Sequence, residues 1–309
     1  MGSGGAFSFS DASSDEILKK ISSAESVIER EVYNIWVSNL LDQILSQLNN
    51  RDTDLIQQHI QTIIRALNDE IEGVVTTLFG GSISKRTHLD GLSDVDTLIV
   101  LNRSELADKS PQQVLKYFYD RLYERFSHTE ITLGDKTVTL RFSDVDVQLL
   151  PAIKFKNGVK IPDGIEWSPI ISPSSFVQKL TDLNGGLNGR LIPTIKIVKG
   201  IIAGFPINCQ LKGYHIESLA IEIFKGGTSS PTFKVKDLII DFFRESPKYV
   251  RRQIKDVTNQ SEFVDEYLGK ADSVQRLIVG DLLERTYRQI ELAETGLLKS
   301  TWVDLLAHI

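Results

Sequence analysis

Residues 80 to 101 read GGSISKRTHLDGLSDVDTLIVL, and this stretch constrains the fold more than any other in the chain. Asp94 and Asp96 stand two apart at the head of the apolar run TLIVL. An apolar run of that length predicts a strand anchored in a sheet. A strand has a side-chain period of two, so both carboxylates fall on one face at one end of that sheet. Upstream, Val74 to Leu78 is a second β-prone run, ending at Gly80 and Gly81. Gly81 and Ser82 therefore follow a strand and are placed to open a short helix. Glycine lets a ligand approach the backbone closely. The N–H groups at the start of a helix, with the Ser82 hydroxyl, suit phosphate oxygens.

Two carboxylates on one rigid edge suit Mg²⁺, a hard cation that takes oxygen ligands and shares substrate phosphates, with Mn²⁺ as the alternative. The run SDVDVQLLPA supplies a third carboxylate from Asp144 or Asp146, again on one face. Asp146 is preferred because it sits inside the apolar strand, whereas Asp144 stands at its entry. Three carboxylates can bridge two ions that activate an attacking hydroxyl and hold a leaving pyrophosphate. Asp146 is placed to assist deprotonation of that hydroxyl. Catalysis and metal binding are thus expected of Asp94, Asp96 and Asp146.

The rest of the chain frames this motif. Ser13 and Glu16 have capping-box spacing. Ile17, Ile21, Ile28, Val32, Ile35 and Leu41 then recur near helical spacing, predicting a helix that runs toward Leu48 and acts as a spine packing across more than one lobe. A second helix carries Leu55, Ile56, Ile60, Ile63, Ile64, Leu67 and Ile71. Pro111 to Phe126 is amphipathic, and Glu130 to Leu133, a turn at Gly134 and Asp135, and Thr137 to Phe142 predict a hairpin, with a further strand from Val145 to Leu150. After a loop-rich bridge from Asn157 to Pro173, helices are predicted over Ser174 to Leu183, Arg190 to Ile202, Tyr214 to Phe224, Val235 to Phe243 and Ser273 to Thr295. The expected class is α/β (α+β): a flexible N-terminus over 1–12, spine helices over 13–71, a catalytic core with a mixed sheet over 72–170 and a helical C-terminal lobe over 171–309.

Composition narrows the function. Among 309 residues, 41 acids outnumber 35 bases, a net charge of −6 that disfavours a protein coated in nucleic acid. One cysteine, Cys209, forms no internal disulfide and builds no Cys-rich zinc site, which points to a reducing, cytoplasmic setting. The first residues lack the basic and apolar regions of a signal peptide. The longest tempting apolar stretch, Gly200 to Leu211, falls well short of the roughly 20 residues of a membrane span. His88, in the loop before the aspartates, fits a surface histidine, and Lys248, Arg251, Arg252 and Lys255 fit a solvated helix face.

The motif G-G-S-x-x-K-x-T-x-L-x-G-x-S-D-x-D resembles the signature of nucleotidyltransferases related to DNA polymerase β. It is most similar to that of oligoadenylate synthetases and cyclic GMP-AMP synthase-like enzymes, whose bacterial branch is the CD-NTase family of CBASS anti-phage defence. VKIPDGIEW, SPIISPSSF, RLIPTIKIVKGI and LKGYHIESLA resemble further segments of that family, so the likeness runs from about residue 72 to about 225. The resemblance implies a polymerase β-like core, Mg²⁺, and NTP substrates joined into a cyclic di- or trinucleotide second messenger with release of pyrophosphate. It further implies that Gly81 and Ser82 hold the donor triphosphate, that Lys199 (or Lys196, one turn earlier) contacts it, and that Tyr214 stacks on a base. A product-sensing effector and a regulatory partner are implied as well. Ile201 replaces an aromatic of the family's lysine helix, and Gly213 stands where relatives often carry Ser. The lack of a His/Cys cluster removes the zinc thumb of the DNA-sensing relative, so no DNA activator is expected. NMP addition to an RNA or linear acceptor, and a catalytically silent nucleotide-binding module, are the alternatives.

Overall fold

The computed structural model describes residues 14–49, 53–68, 74–79, 95–102, 105–143, 145–227, 234–258 and 261–309. Helices α1 (Ser14–Leu48) and α2 (Thr53–Asn68) precede strands β1 (Val74–Phe79) and β2 (Val95–Asn102). Helix α3 (Pro111–Arg125) and strands β3 (Glu130–Leu133), β4 (Val138–Arg141) and β5 (Asp146–Phe155) follow. The bridge contributes β6 (Gly158–Lys160), β7 (Pro162–Asp163) and β8 (Glu166–Trp167). The remaining helices are α4 (Pro173–Gly186), α5 (Leu191–Ala203), α6 (Gly213–Phe224), α7 (Val235–Val250), α8 (Val274–Gly296) and α9 (Lys299–Leu306).

The main sheet has the order β1-β2-β5-β4-β3, with β6 added to β5. Among the described residues only the β2–β5 pair is parallel, and α3 lies in the long connection that a parallel pair needs. The expected hairpin forms, closed by the Gly134 N–H donating to the Thr137 carbonyl at 2.9 Å. Helix α3 starts on a reciprocal capping box between Ser110 and Gln113, with Pro111 in its first turn.

Alternation along β2 and β5 divides the sheet into two covered faces. Ile99, Leu101, Val147 and Leu149 pack under α2 and α3, where Ile60, Ile63, Leu67, Val114, Phe118 and Leu122 are buried. Leu98, Val100 and Ala152 face the other way, against Val159, Ile161 and Ile171 of the bridge. The third core belongs to the helical lobe and is built from α4 to α9.

Helix α1 departs from expectation. Its buried residues Tyr33, Val37, Leu41 and Leu48 all join the helical-lobe core. Val27, Ile28, Val32 and Ile35 stand 54–62% exposed. At 100° per residue, Ile28, Val32 and Ile35 lie nearly opposite the stripe of Tyr33 and Val37. The helix therefore carries two apolar faces, and the one that the spacing singled out is, apart from Leu41, the face not used. Tyr33 ties the lobe together: its hydroxyl donates to Glu294 Oε1 at 2.9 Å and accepts from Trp302 Nε1 at 2.9 Å. Lys236 Nζ pairs with Glu294 Oε2 at 2.6 Å.

Candidate active site

The strand register brings two of the expected carboxylates to one sheet end. Asp96 is in register with Gln148 across the parallel pair, and Asp146 stands two residues before Gln148 on β5. Asp96 and Asp146 therefore occupy positions on the same face, the one that carries Leu98 and Val100 toward the bridge. The Asp146 side chain is 38% exposed and lies 3.4 Å from Arg141 Nε, while Arg141 Nη1 pairs with Glu130 at 2.8 Å. A half-exposed carboxylate at Asp146 has the oxygen donors that a hard cation takes. Gly81, Ser82, His88, Asp94 and Asp144 lie outside the described residues. Among the described residues no cluster of three metal-ligating side chains occurs.

Helix α5 carries both candidate lysines. Its N-terminus is satisfied by Asn184 Oδ1, which accepts from the Ile192 N–H at 3.0 Å. Eight of its thirteen residues are apolar, and it runs through the centre of the helical lobe. Its two lysines therefore need polar partners. Lys196 is 4% exposed and its ammonium donates to Asn49 Oδ1 at the end of α1. Burial, and then the like charge of Lys199, brings its pKa down to about 8. Lys199 Nζ pairs with Glu217 Oε1 of α6 at 2.7 Å, with side chains 10% and 1% exposed. This ammonium lies against the start of α6: a Cβ on Gly213 would stand 3.4 Å from Nζ. Lys199 and Tyr214 are thus brought together, while Lys196 is held on α1.

Tyr214 lines a cleft of about 440 Å³ between the bridge and the helical lobe. Lys136, Ile161, Pro162, Asp163 and Ser168 form one wall, and Tyr214, Asp256, Ser261, Val264 and Glu266 form the other. The Tyr214 ring leans on Phe176 with centroids 4.6 Å apart. Its hydroxyl donates to Asp256 Oδ1 at 2.7 Å. Burial, then this hydrogen bond, pushes the phenol well above its usual range. Burial also opposes ionisation of Asp256, but the donors on its oxygens outweigh it and hold the carboxyl below its ordinary value.

The next residue, His215, is fully buried in a polar cluster behind α6. Its Nδ1 shares a 2.9 Å hydrogen bond with the Tyr267 hydroxyl, and its Nε2 is 3.7 Å from Asp265. Arg276 is fully buried and fixes Asp265 at 2.7 Å, while donating to the carbonyls of Val250, Arg252, Gly269 and Lys270. Desolvation lowers the His215 pKa to about 4, with Asp265 opposing and Arg276 reinforcing the shift. His215 is therefore neutral at pH 7 and structural. Sequence reasoning missed Glu217 and Asp256. Glu217 had a signal, since an acid inside the apolar run GYHIESLAIEIF calls for a buried base. Asp256 had a weaker one, the turn-prone spacing DVT. Among the described residues, no helix is long and apolar enough to cross a membrane.

Comparison with known proteins assigns this framework. Residues 34–184 match the family model of the Second Messenger Oligonucleotide or Dinucleotide Synthetase domain. That span contains the whole main sheet and every expected carboxylate, but not Lys199 or Tyr214. No curated protein matches the chain at the sequence level. Among solved structures, the chain is similar to an E. coli CdnC with ATP, at 16% identity and a TM-score of 0.63, over 87% of this chain and 91% of that one. It is similar to CdnG of Bradyrhizobium diazoefficiens in complex with GTP, at 11% identity and a TM-score of 0.67, over 88% and 96%. It is also similar to the DncV cyclic AMP-GMP synthase of Vibrio cholerae, at 12% identity and a TM-score of 0.60, over 96% and 90%. At such identities the likeness is one of fold. Residues 34–184 thus resemble the Second Messenger Oligonucleotide or Dinucleotide Synthetase domain, and the chain has the fold of the solved CD-NTases.

Proposed function

We propose that this nucleotidyltransferase joins NTPs into a cyclic di- or trinucleotide second messenger, with pyrophosphate leaving at each step. The observation that carries the reading is the placement of Asp96 and Asp146 on one sheet face inside the matched synthetase domain. In each step a 2′- or 3′-hydroxyl oxygen forms a bond to the α-phosphorus of an NTP. The bond from that phosphorus to the β-phosphate bridging oxygen breaks, and the hydroxyl proton passes to Asp146. Mg²⁺ held by Asp94, Asp96 and Asp146 would supply charge neutralisation and Lewis acidity at phosphorus. Gly81 and Ser82 hold the donor triphosphate. Lys199 has three donors, so it can keep Glu217 and still present an N–H to a phosphate oxygen. Tyr214 offers its face to a base, a mode of binding that tolerates different bases.

The setting we propose is cytoplasmic anti-phage signalling, with an effector protein that reads the product. An E. coli CdnC has been solved in complex with HORMA-deltaN, which supports a regulatory partner for this chain too. The reading is tested by incubating the full chain with the four NTPs and Mg²⁺ and following pyrophosphate. Wild type should release it, and Asp96→Asn or Asp146→Asn should slow release by about 100-fold or more. Equal release by the variants would refute the assignment.

A further inference from the structure

The polar end of Tyr214, the candidate base-stacking side chain, is held by a turn built around Asp256. Residues 254–258 and 261–264 run back against each other, with the Val264 N–H donating to the Ile254 carbonyl at 2.9 Å and the Asp256 N–H to the Glu262 carbonyl at 3.2 Å. The Asp256 carboxylate, 6% exposed, sits inside this turn. Oδ1 accepts from the Thr258 N–H at 2.8 Å, the Thr258 hydroxyl at 2.7 Å and the Tyr214 hydroxyl at 2.7 Å. Oδ2 accepts from the Ser261 N–H at 3.2 Å, while the Ser261 hydroxyl donates to the Phe263 carbonyl at 2.8 Å. The same turn is stitched to the bridge, because the Ser172 N–H donates to the Thr258 carbonyl at 3.0 Å.

A carboxylate held by four donors on both oxygens has little freedom to rotate, and charge-assisted hydrogen bonds are about twice as strong as neutral ones. A tyrosine ring has two side-chain torsions. The hydroxyl oxygen lies on the axis of the second torsion, so its anchor at Asp256 fixes where the tip of the ring points, and packing on Phe176 limits rotation of the ring plane about that axis. We propose that Asp256 is a positioning residue: it holds the tip of the Tyr214 ring so that the ring stands where its face receives a nucleobase, and the Thr258–Ser172 contact ties that position to the bridge between core and helical lobe. This inference rests on the proposed base-stacking role of Tyr214. A ring held in place before binding loses less freedom when the nucleotide arrives, so the tether acts on affinity.

The test measures the Kd of a nonhydrolysable NTP with Mg²⁺ for wild type, Tyr214→Phe, Asp256→Asn and the double variant, well below each melting temperature. Tyr214→Phe keeps the ring and removes only the tether. We expect each single variant to weaken binding several-fold and the double variant to bind no more weakly than the worse single one, as expected of two groups acting through one contact. Thr258→Val, which loosens the carboxylate while leaving Asp256 and Tyr214 intact, should weaken binding in the same direction and keeps the test open if Asp256→Asn fails to fold. Wild type that binds while Tyr214→Phe and Thr258→Val bind equally well would overturn the tether alone. A purely additive double variant would do the same. Wild type that binds no NTP would overturn the proposed function and the tether with it.

Discussion

Lys199 has two jobs in this account, and its structural one can be measured without substrate. Its ammonium lies 2.7 Å from a Glu217 carboxylate that is 1% exposed. Lys199→Met keeps the aliphatic stem in the core and removes the charge, stranding the carboxylate in a low-dielectric interior. Removing one partner of a buried pair costs about 3–5 kcal/mol. A melting temperature moves by about 2–4 °C per kcal/mol for units of this size, so the variant should melt on the order of 10 °C lower. The assay is a thermal melt by circular dichroism at pH 7. Glu217→Gln should recover most of the loss when combined with Lys199→Met, because the stranded charge is then gone. A Lys199→Met protein melting within about 2 °C of wild type would refute the buried-pair reasoning. So would a double variant no better than the single one.

Three other outcomes follow from the packing. His215 titrates at about 4 when folded against 6.5 unfolded, so the unfolded chain binds more protons between those values and stability falls as pH drops through that window. Urea denaturation should show wild type losing roughly 2 kcal/mol more than His215→Gln between pH 7 and pH 5; parallel losses would place the histidine outside the buried cluster. Arg276→Met removes the guanidinium that holds Asp265 and four backbone carbonyls, and should cost at least about 3 kcal/mol in the same assay. On α1, Leu41→Ala should cost about 2–5 kcal/mol, while Ile28→Glu should change stability by no more than about 0.5 kcal/mol; the reverse order would exchange the two faces of that helix.

Where local pattern and tertiary packing agree, the sequence is a sufficient guide. The hairpin around Gly134, the strand Val95–Asn102 and four of the six helices of the C-terminal lobe form close to where periodicity and turn residues predict them. Departures occur where a distant partner decides. β5 runs on to Phe155, although Pro151 reads as a stop. Its pairing with β4 ends at Leu149 and its pairing with β6 begins at Ile153, so the proline falls in the gap between them. Helix α7 continues through Pro247 to Val250, although a proline there leaves the Phe243 carbonyl without its helical donor. α9 is too short to stand out in sequence and is recruited by the burial of Trp302 against Tyr33. The two-faced α1 shows that spacing identifies an apolar stripe without saying which one a lobe will cover. At the site, the shared face of Asp96 and Asp146 follows from strand period plus register. The partners of Lys199 and Tyr214 do not, because Glu217 and Asp256 lie 18 and 42 residues away along the chain.

The most direct measurement of the central claim is the product itself. The full chain is incubated with all four NTPs and Mg²⁺, treated with phosphatase, and the nucleotides are resolved by mass spectrometry. The account predicts a phosphatase-resistant species with the mass of a cyclic di- or trinucleotide, made by wild type and lost in Asp146→Asn. Only phosphatase-sensitive linear products, or a cyclic product made equally well by Asp146→Asn, would contradict it.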